Sequence, residues 1–311
     1  MAYVDLTLPE FQRQFGTEEA CLQAVYDARW PRGFICPKCG HNDGYRLSSR
    51  PRTVQCVVCK RQTSVTAHTI FHGSHIPLTN WFLAIYLTAQ DKGGISASRL
   101  SNMLGISYPT AWFLNQRLHH AMSKRDENLT LAGYIELDEA FFGGKTNSRT
   151  RRKPPSDGKK QVLVLVEAEG WRAGNVVMKV IANDHLEDLK PVIETKVESE
   201  PPGQWFRSDA WGSHHVVMTC GHRIKMGHIP KEQQDTELRC VSLAISNAKS
   251  FFKGTHHNFC QLHLDRYLAA FCYRWNRRDQ GGGLVLSLIK ACSLAGLAQY
   301  SDLIAPKPSA A

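Results

Sequence analysis

The spacing of four cysteines constrains this chain more than any other feature. Cys36-Pro-Lys-Cys39-Gly is followed, sixteen residues on, by Cys56-Val-Val-Cys59-Lys, giving C-x2-C-x16-C-x2-C. Each pair sets two thiolates on one tight knuckle, and two knuckles complete a tetrahedron, the spacing of a structural zinc site. A redox pair is the rival for a single C-x-x-C; two pairs at this distance favour the metal. Four thiolates leave no open coordination position, so Zn2+ on Cys36, Cys39, Cys56 and Cys59 is structural rather than catalytic. A ribbon over 31–72 is too small to stand on its own core, so the metal supplies folding free energy. The other six of the ten cysteines are scattered and read as small buried hydrophobes. Arg50, Arg52, Lys60 and Arg61 surround the ribbon, as a DNA-backbone contact or as a solvated face; the sequence leaves both open.

Charge narrows the partners. Lys and Arg number 38 against 28 acids, a net charge of +10, which points to a polyanion, with nucleic acid first. No stretch approaches the roughly 18 unbroken apolar residues of a membrane helix. The N-terminus lacks the basic and apolar regions of a secretory signal. With reduced cysteines, this sets the expectation of a cytoplasmic, nucleoid-associated protein with no membrane partner.

Helical periodicity marks the first half. Residues 8–29 read as helix with a break near Gly16–Thr17, making an N-terminal helical segment over 1–30. Residues 76–92 form an apolar helix. Between Ile95 and Met122, Ser96 can cap a short helix, Gly105 makes a turn, and Ser107 can cap a second helix with Pro109 in its first turn. The region 76–124 therefore carries a helix-turn-helix pattern, with a plain helical hairpin as the alternative. On the second helix Tyr108, Thr110, Asn115, Gln116 and Arg117 are the exposed candidates for DNA contact.

The second half is organised around Gly133–Lys145, GYIELDEAFFGGK. It reads as a buried strand that delivers Asp138 and Glu139 to its exit before a glycine turn. A lone strand-end acid is usually met by a lysine. A second strand-like run, Gln204–Arg207, leads into Ser208 and Asp209, and two carboxylates on separate strands are what a two-metal phosphoryl-transfer site requires. Between them, Lys145–Lys160 holds seven basic residues, one acid and two prolines, a flexible basic loop suited to phosphates; Arg149, Arg151, Arg152 and Lys153 are its DNA-binding candidates. Strands at 162–166 and 175–181 and a helix at 186–197 complete a strand-strand-strand-helix-strand order. That is the layout of a ribonuclease-H-like α/β fold, a mixed sheet with flanking helices, here over 131–279 and followed by a C-terminal tail, 280–311. Nucleotidyl transferases of that fold take a third metal ligand from a later helix. The metal-competent side chain there is Asn247, 38 positions after Asp209.

These motifs carry a resemblance. CPKCG with CVVC, LSNMLGISYPTAW, IELDEAFFGGK, RSDAW, SNAKSFFKGTHHNF and HLDRYLAAFCYRWNRR together resemble zinc-ribbon insertion-sequence transposases of the DDE superfamily, the Asp-Asp-Asn subgroup with an ISXO-type transposase-like domain. The resemblance implies that Asp138, Asp209 and Asn247 bind two Mg2+ (or Mn2+) and carry strand cleavage and strand transfer. It implies DNA partners, namely terminal inverted repeats and target DNA, and a homodimer or higher assembly on DNA. His257 matches a family histidine, and Arg274 and Arg277 join the phosphate-binding candidates. One departure is Ala270, where the family usually carries Glu. It keeps open a DNA-binding protein with an impaired transposase domain; a structure-selective nuclease of the same fold is the other alternative.

Overall fold

The computed structural model describes residues 6–143, 159–200, 203–209, 212–230, 233–256, 261–280 and 283–304. The chain divides into two compact units, residues 1–125 with 277–305, and residues 126–276 with 306–311.

The first unit opens with helices α1 (Leu8–Phe15) and α2 (Glu18–Arg29). Thr7 and Glu10 form a reciprocal capping box at α1, and the Thr17 hydroxyl accepts from the Ala20 N–H at α2, which explains the break between them. Three short antiparallel strands follow: β1 (Gly44–Leu47), β2 (Arg50–Cys56) and β3 (Gln62–Ser64). Then come α3 (Leu78–Gln90), α4 (Ala97–Leu104) and α5 (Tyr108–Arg125). Ser96 caps α4 by accepting from the Arg99 N–H. Gly105 ends α4 in the left-handed region, φ 63°, where glycine is favoured.

The second unit is built on a five-stranded sheet: β4 (Tyr134–Phe142), β5 (Lys160–Glu169), β6 (Arg172–Ile181), β7 (Trp205–Ser208) and β8 (Arg223–Met226). Its order is β6-β5-β4-β7-β8. The β6-β5-β4 pairings are antiparallel, and the β4-β7-β8 pairings are parallel. Helices α6 (Leu186–Lys196) and α7 (Val216–Thr219) supply the crossovers. Ile135, Leu137, Leu163, Leu165 and Phe206 bury one face of the sheet against Leu189 and Ile193 of α6 and Val216 and Val217 of α7. The other face packs Ala140, Phe142, Val162, Val164 and Val166 against α9 (Arg239–Thr255) and α10 (Leu264–Trp275), with the single turn α8 (Gln234–Glu237) leading in. Buried on both faces, β5 reads as an unbroken Val/Leu run rather than an alternation. Strand β6 is a sheet edge, and Asn276 covers part of it. Its Oδ1 accepts from the Val176 N–H at 2.7 Å and its amide donates to the Val176 carbonyl at 3.1 Å.

The chain then returns to the first unit as α11 (Gly283–Leu294) and α12 (Tyr300–Ile304). Val285, Leu288, Ile289, Ala291 and Cys292 of α11 are buried, and the helix packs on α2, α3 and α5. The segment expected to be a C-terminal tail thus supplies a core helix of the N-terminal unit. That return overturns a second expectation. Asn115, Gln116 and Arg117 are buried rather than exposed. Arg117 donates to the carbonyls of Ala298, Ile70 and His72 and stacks over Phe113 at 4.4 Å; Asn115 donates to the Ile95 carbonyl. Helix α5 is enclosed on a side that would face solvent without α11 and α12.

Candidate active site

Strands β4 and β7 build the site. Their parallel register sets Tyr134 opposite Trp205, Ile135 opposite Phe206 and Glu136 opposite Arg207. Continuing that register by two residues brings Asp138 alongside Asp209, on strands about 4.8 Å apart. Alternation along β4 puts Glu136, Asp138, Ala140 and Phe142 on one face, the face covered by α9 and α10. The expected strand end after Glu139 is not there. Strand β4 runs on to Phe142 because Ala140, Phe141 and Phe142 still pair with Val162, Gln161 and Lys160 on β5. On the β7 side pairing has already stopped, since Asp209 follows the last residue of β7. The acid pair therefore opens on that side.

Asp138 is part-buried, and the Glu139 N–H donates to its Oδ1 at 2.8 Å. Burial pushes the Asp138 carboxyl up to about 6, and the charges of Glu139 and Asp209 push the same way; the Glu139 N–H and His214 act against them. Among the described residues the side-chain charges acting most on Asp138 are these three, not a lysine or an arginine. Two carboxylates crowded together form a hard-oxygen donor set that fits a divalent cation.

His214 holds the two acidic segments together. Its buried ring sets Nε2 2.8 Å from Oε1 of Glu139, and Nδ1 2.9 Å from Oγ of Ser208 and 3.5 Å from Oδ1 of Asp209. The Ser208 hydroxyl donates in turn to the Asp209 carbonyl at 2.9 Å. His215, its neighbour, is exposed. The His214 clasp was not legible as a pair, because Glu139 and His214 lie 75 positions apart.

Asn247 lies on α9, exposed, with its amide donating to the Leu243 carbonyl one turn back at 2.8 Å. Helix α9 runs along β4 in the same sense. Near its start the Val241 N–H donates to the buried Glu136 carboxylate at 2.9 Å, and near its end the Phe252 ring meets that of Phe142 at 5.4 Å between centroids. The structure thus brings Asp138 and Asp209 together and puts Asn247 on the helix covering the same face of the sheet. Sequence reasoning also missed Glu136. A Glu inside an apolar strand must find donors if buried, and that alone was the available signal.

The remaining candidates divide. Tyr108 is exposed; Thr110 is part-exposed, its hydroxyl 2.8 Å from that of Ser107. Arg274 and Arg277 are part-buried, and Ala270 is buried on α10. Arg149, Arg151, Arg152, Lys153 and His257 lie outside the described residues.

In the ribbon, Cys36 and Cys39 precede β1 and Cys56 and Cys59 close the β2 end. Their four Sγ atoms lie within 4.8 Å of one another, with Cys36–Cys59 at 3.5 Å and Cys39–Cys56 at 3.7 Å. A tetrahedron with Zn–S bonds of about 2.3 Å has edges of about 3.8 Å, so the four thiolates fit Zn2+. Of the basic residues around it, Arg52 is already paired with Glu18 at 2.7 Å, and Lys60 donates to the Val57 carbonyl. No helix among the described residues is long and apolar enough to cross a membrane.

Comparison with known proteins agrees with both halves. Residues 16–62 match the family described as a transposase zinc-ribbon domain, and residues 130–276 the family described as an ISXO2-like transposase domain. An uncharacterized protein in transposable element ISH50 of Halobacterium salinarum is 24% identical over 273 residues, covering 86% of each chain. A chain of the cryo-EM structure of the simian T-cell lymphotropic virus intasome in complex with PP2A regulatory subunit B56 gamma aligns at 12% identity with a TM-score of 0.30. It covers 57% of this chain and 63% of that one, a likeness too loose to carry an argument. A four-thiolate ribbon thus stands in front of a mixed α/β domain, and the chain carries a transposase zinc-ribbon domain and an ISXO2-like transposase domain.

Proposed function

We propose that this transposase binds the ends of its insertion sequence and carries out divalent-metal-dependent cleavage and strand transfer at Asp138, Asp209 and Asn247. The observation that carries the reading is the alignment of Asp138 with Asp209 across adjacent parallel strands, both carboxylates part-buried. The ribonuclease-H-like reading of the domain rests on the sheet order, three antiparallel strands followed by two parallel ones, with the acids on β4 and just past β7.

Asp138 and Asp209 would each give carboxylate oxygens to Mg2+ or Mn2+, and Asn247 an amide oxygen. Bound there, such ions supply Lewis-acid activation of an attacking oxygen and neutralisation of charge on the phosphate and leaving oxygen. The chain's own residues prepare the site. Burial raises the proton affinity of Asp138, so a cation held there would compete with protonation below about pH 6, and His214 orients Asp209 through Ser208 and draws Glu139 away from the acid pair. With Asn in place of a third acid, the triad carries a charge of about −2 rather than −3 and should hold a second cation more loosely. The α4–α5 pair, read as a helix-turn-helix, and the ribbon would grip DNA, with exposed Tyr108 and part-exposed Thr110 as the remaining candidates on α5.

The test is Mn2+-dependent nicking and joining on duplexes carrying the element's own ends. Asp138→Ala and Asp209→Ala should abolish both reactions while end binding persists in gel shift. Asn247→Ala should be inactive, whereas Asn247→Glu can retain activity. A fully active Asp138→Ala variant overturns the reading. If the wild-type chain binds ends but neither nicks nor joins, the alternative raised by Ala270 holds, a DNA-binding protein with an impaired transposase domain; nicking without joining of precut ends supports a nuclease.

A further inference from the structure

Helix α9 starts without a cap of its own. Leu238 stands at its N-cap with φ −123° and ψ 46°, and no side chain there accepts from the first turn. The free N–H groups of that turn are met from the sheet. The Glu136 carboxylate, 5% exposed, accepts from the Val241 N–H at 2.9 Å, and the Cys240 N–H and thiol are directed at the same carboxylate. A second grip lies one strand over. Arg207, also buried, is the register partner of Glu136 and pairs with Glu237, just ahead of the helix, at 2.7 Å.

The spacing is the same on both strands. Glu136 precedes Asp138 by two residues on β4, and Arg207 precedes Asp209 by two just beyond β7. Each strand therefore uses one side chain to hold the start of α9 and the next on the same face to offer a carboxylate, about 6.6 Å further along. From Val241 to Asn247 the helix advances about 9 Å in the same direction. The anchor at the helix start thus sets how far along the sheet Asn247 falls relative to the acids. Because α9 has no cap of its own, its axial position depends on that carboxylate.

We propose that Glu136 is a positioning residue for the metal site. By capping α9 from β4, with the Arg207–Glu237 pair beside it, it fixes the register of Asn247 against Asp138 and Asp209. The proposal rests on the reading of those three residues as metal ligands and adds to it the device that aligns them.

The experiment is a Mn2+ titration of the full zinc-loaded chain, followed by electron paramagnetic resonance of free Mn2+, for wild type, Glu136→Ala and Glu136→Gln. Far-UV circular dichroism, melting temperature and gel-shift binding to the element's ends are measured beside it. Outer residues that orient metal ligands typically change metal affinity tenfold to a hundredfold, so the Mn2+ dissociation constant should rise about tenfold or more in Glu136→Ala while end binding holds. Glu136→Gln keeps one acceptor oxygen for the Val241 N–H and should fall between the two. It also keeps the test open if the alanine variant does not fold. Wild-type Mn2+ affinity in a folded Glu136→Ala or Glu136→Gln chain overturns the proposal, as does a loss of metal binding strictly parallel to a loss of fold. The underlying reading fails separately, if Asp138→Ala leaves Mn2+ binding unchanged.

Discussion

Nε2 of His214 lies 2.8 Å from Oε1 of Glu139, while the other ring nitrogen of the same buried imidazole meets Ser208 and Asp209. One ring thus ties β4 to the segment after β7, at the point where the two acids come side by side. Removing it leaves the Glu139 carboxylate, 12% exposed at its side chain, without its partner. A buried charge-assisted hydrogen bond of this kind stabilises by about 2 kcal/mol, with a similar cost for the orphaned group. His214→Ala should lower the urea midpoint of unfolding accordingly and weaken Mn2+ binding, because Asp209 loses its orientation. Unchanged Mn2+ affinity in a folded His214→Ala chain would restrict the histidine to packing.

The elevated Asp138 carboxyl predicts an unusual dependence of stability on pH. Its folded value, about 6, lies above the ordinary 3.8, so the folded chain holds this proton more tightly than the unfolded one. The stabilisation is complete below about pH 4 and is lost as pH rises through about 6. After allowing for partial exposure, the swing is about 2 kcal/mol. Without divalent cations, Asp138→Asn should remove that fall in stability, read from urea midpoints at pH 4 to 7 against wild type. Added Mg2+ should restore stability above pH 6, where the carboxylate is free to bind it, and Mn2+ affinity should weaken as pH drops below 6.

How much of this was legible follows from the range over which each signal acts. The ribbon, the break at Thr17, the Gly105 turn and the strand order of the second unit come from local spacing and capping, and each appears where the sequence puts it. Strand β8 was not read, since Arg223–Met226 is short and only partly buried. The end of β4 was misread because the double glycine looked like the first turn signal, whereas continued pairing with β5 carries the strand through Phe142. The His214 clasp and the Glu136 cap are contacts between residues 75 and 105 positions apart, and nothing local marks them.

The same limit governs α5. Asn115 and Arg117 look exposed on a helical wheel, yet the Asn115 amide N–H donates to the Ile95 carbonyl and the Arg117 guanidinium to those of Ala298 and Ile70, inside the first unit. Arg117→Ala should destabilise the protein by about 3 kcal/mol, the scale of losing several charged hydrogen bonds in a buried position. It should affect DNA binding only through the loss of fold. Tyr108→Ala, at a position 56% exposed, should do the reverse: the melting temperature holds and the gel-shift affinity for the element's ends drops. An Arg117→Ala chain of wild-type stability would show that the guanidinium belongs to an interface with DNA after all.

The zinc ribbon offers a way to separate end recognition from chemistry. Phe34, Val54, Val65, Ile70 and Phe71 are buried beside Cys36 and Cys56, while Cys39, Val58 and Ile35 are exposed. Binding of structural zinc by such small units is worth roughly 10 kcal/mol or more, so the metal supplies a large share of the ribbon's stability. Cys39→Ser removes one of four ligands and should release zinc, detectable with a colorimetric chelator as the loss of one equivalent per chain. End binding in gel shift should fall with it. The acid pair is built from β4 and the end of β7 with no residue from the ribbon, so Mn2+ affinity there should stay at the wild-type value. A zinc-free chain that still shifts the element's ends at wild-type affinity would assign end recognition to the helices alone.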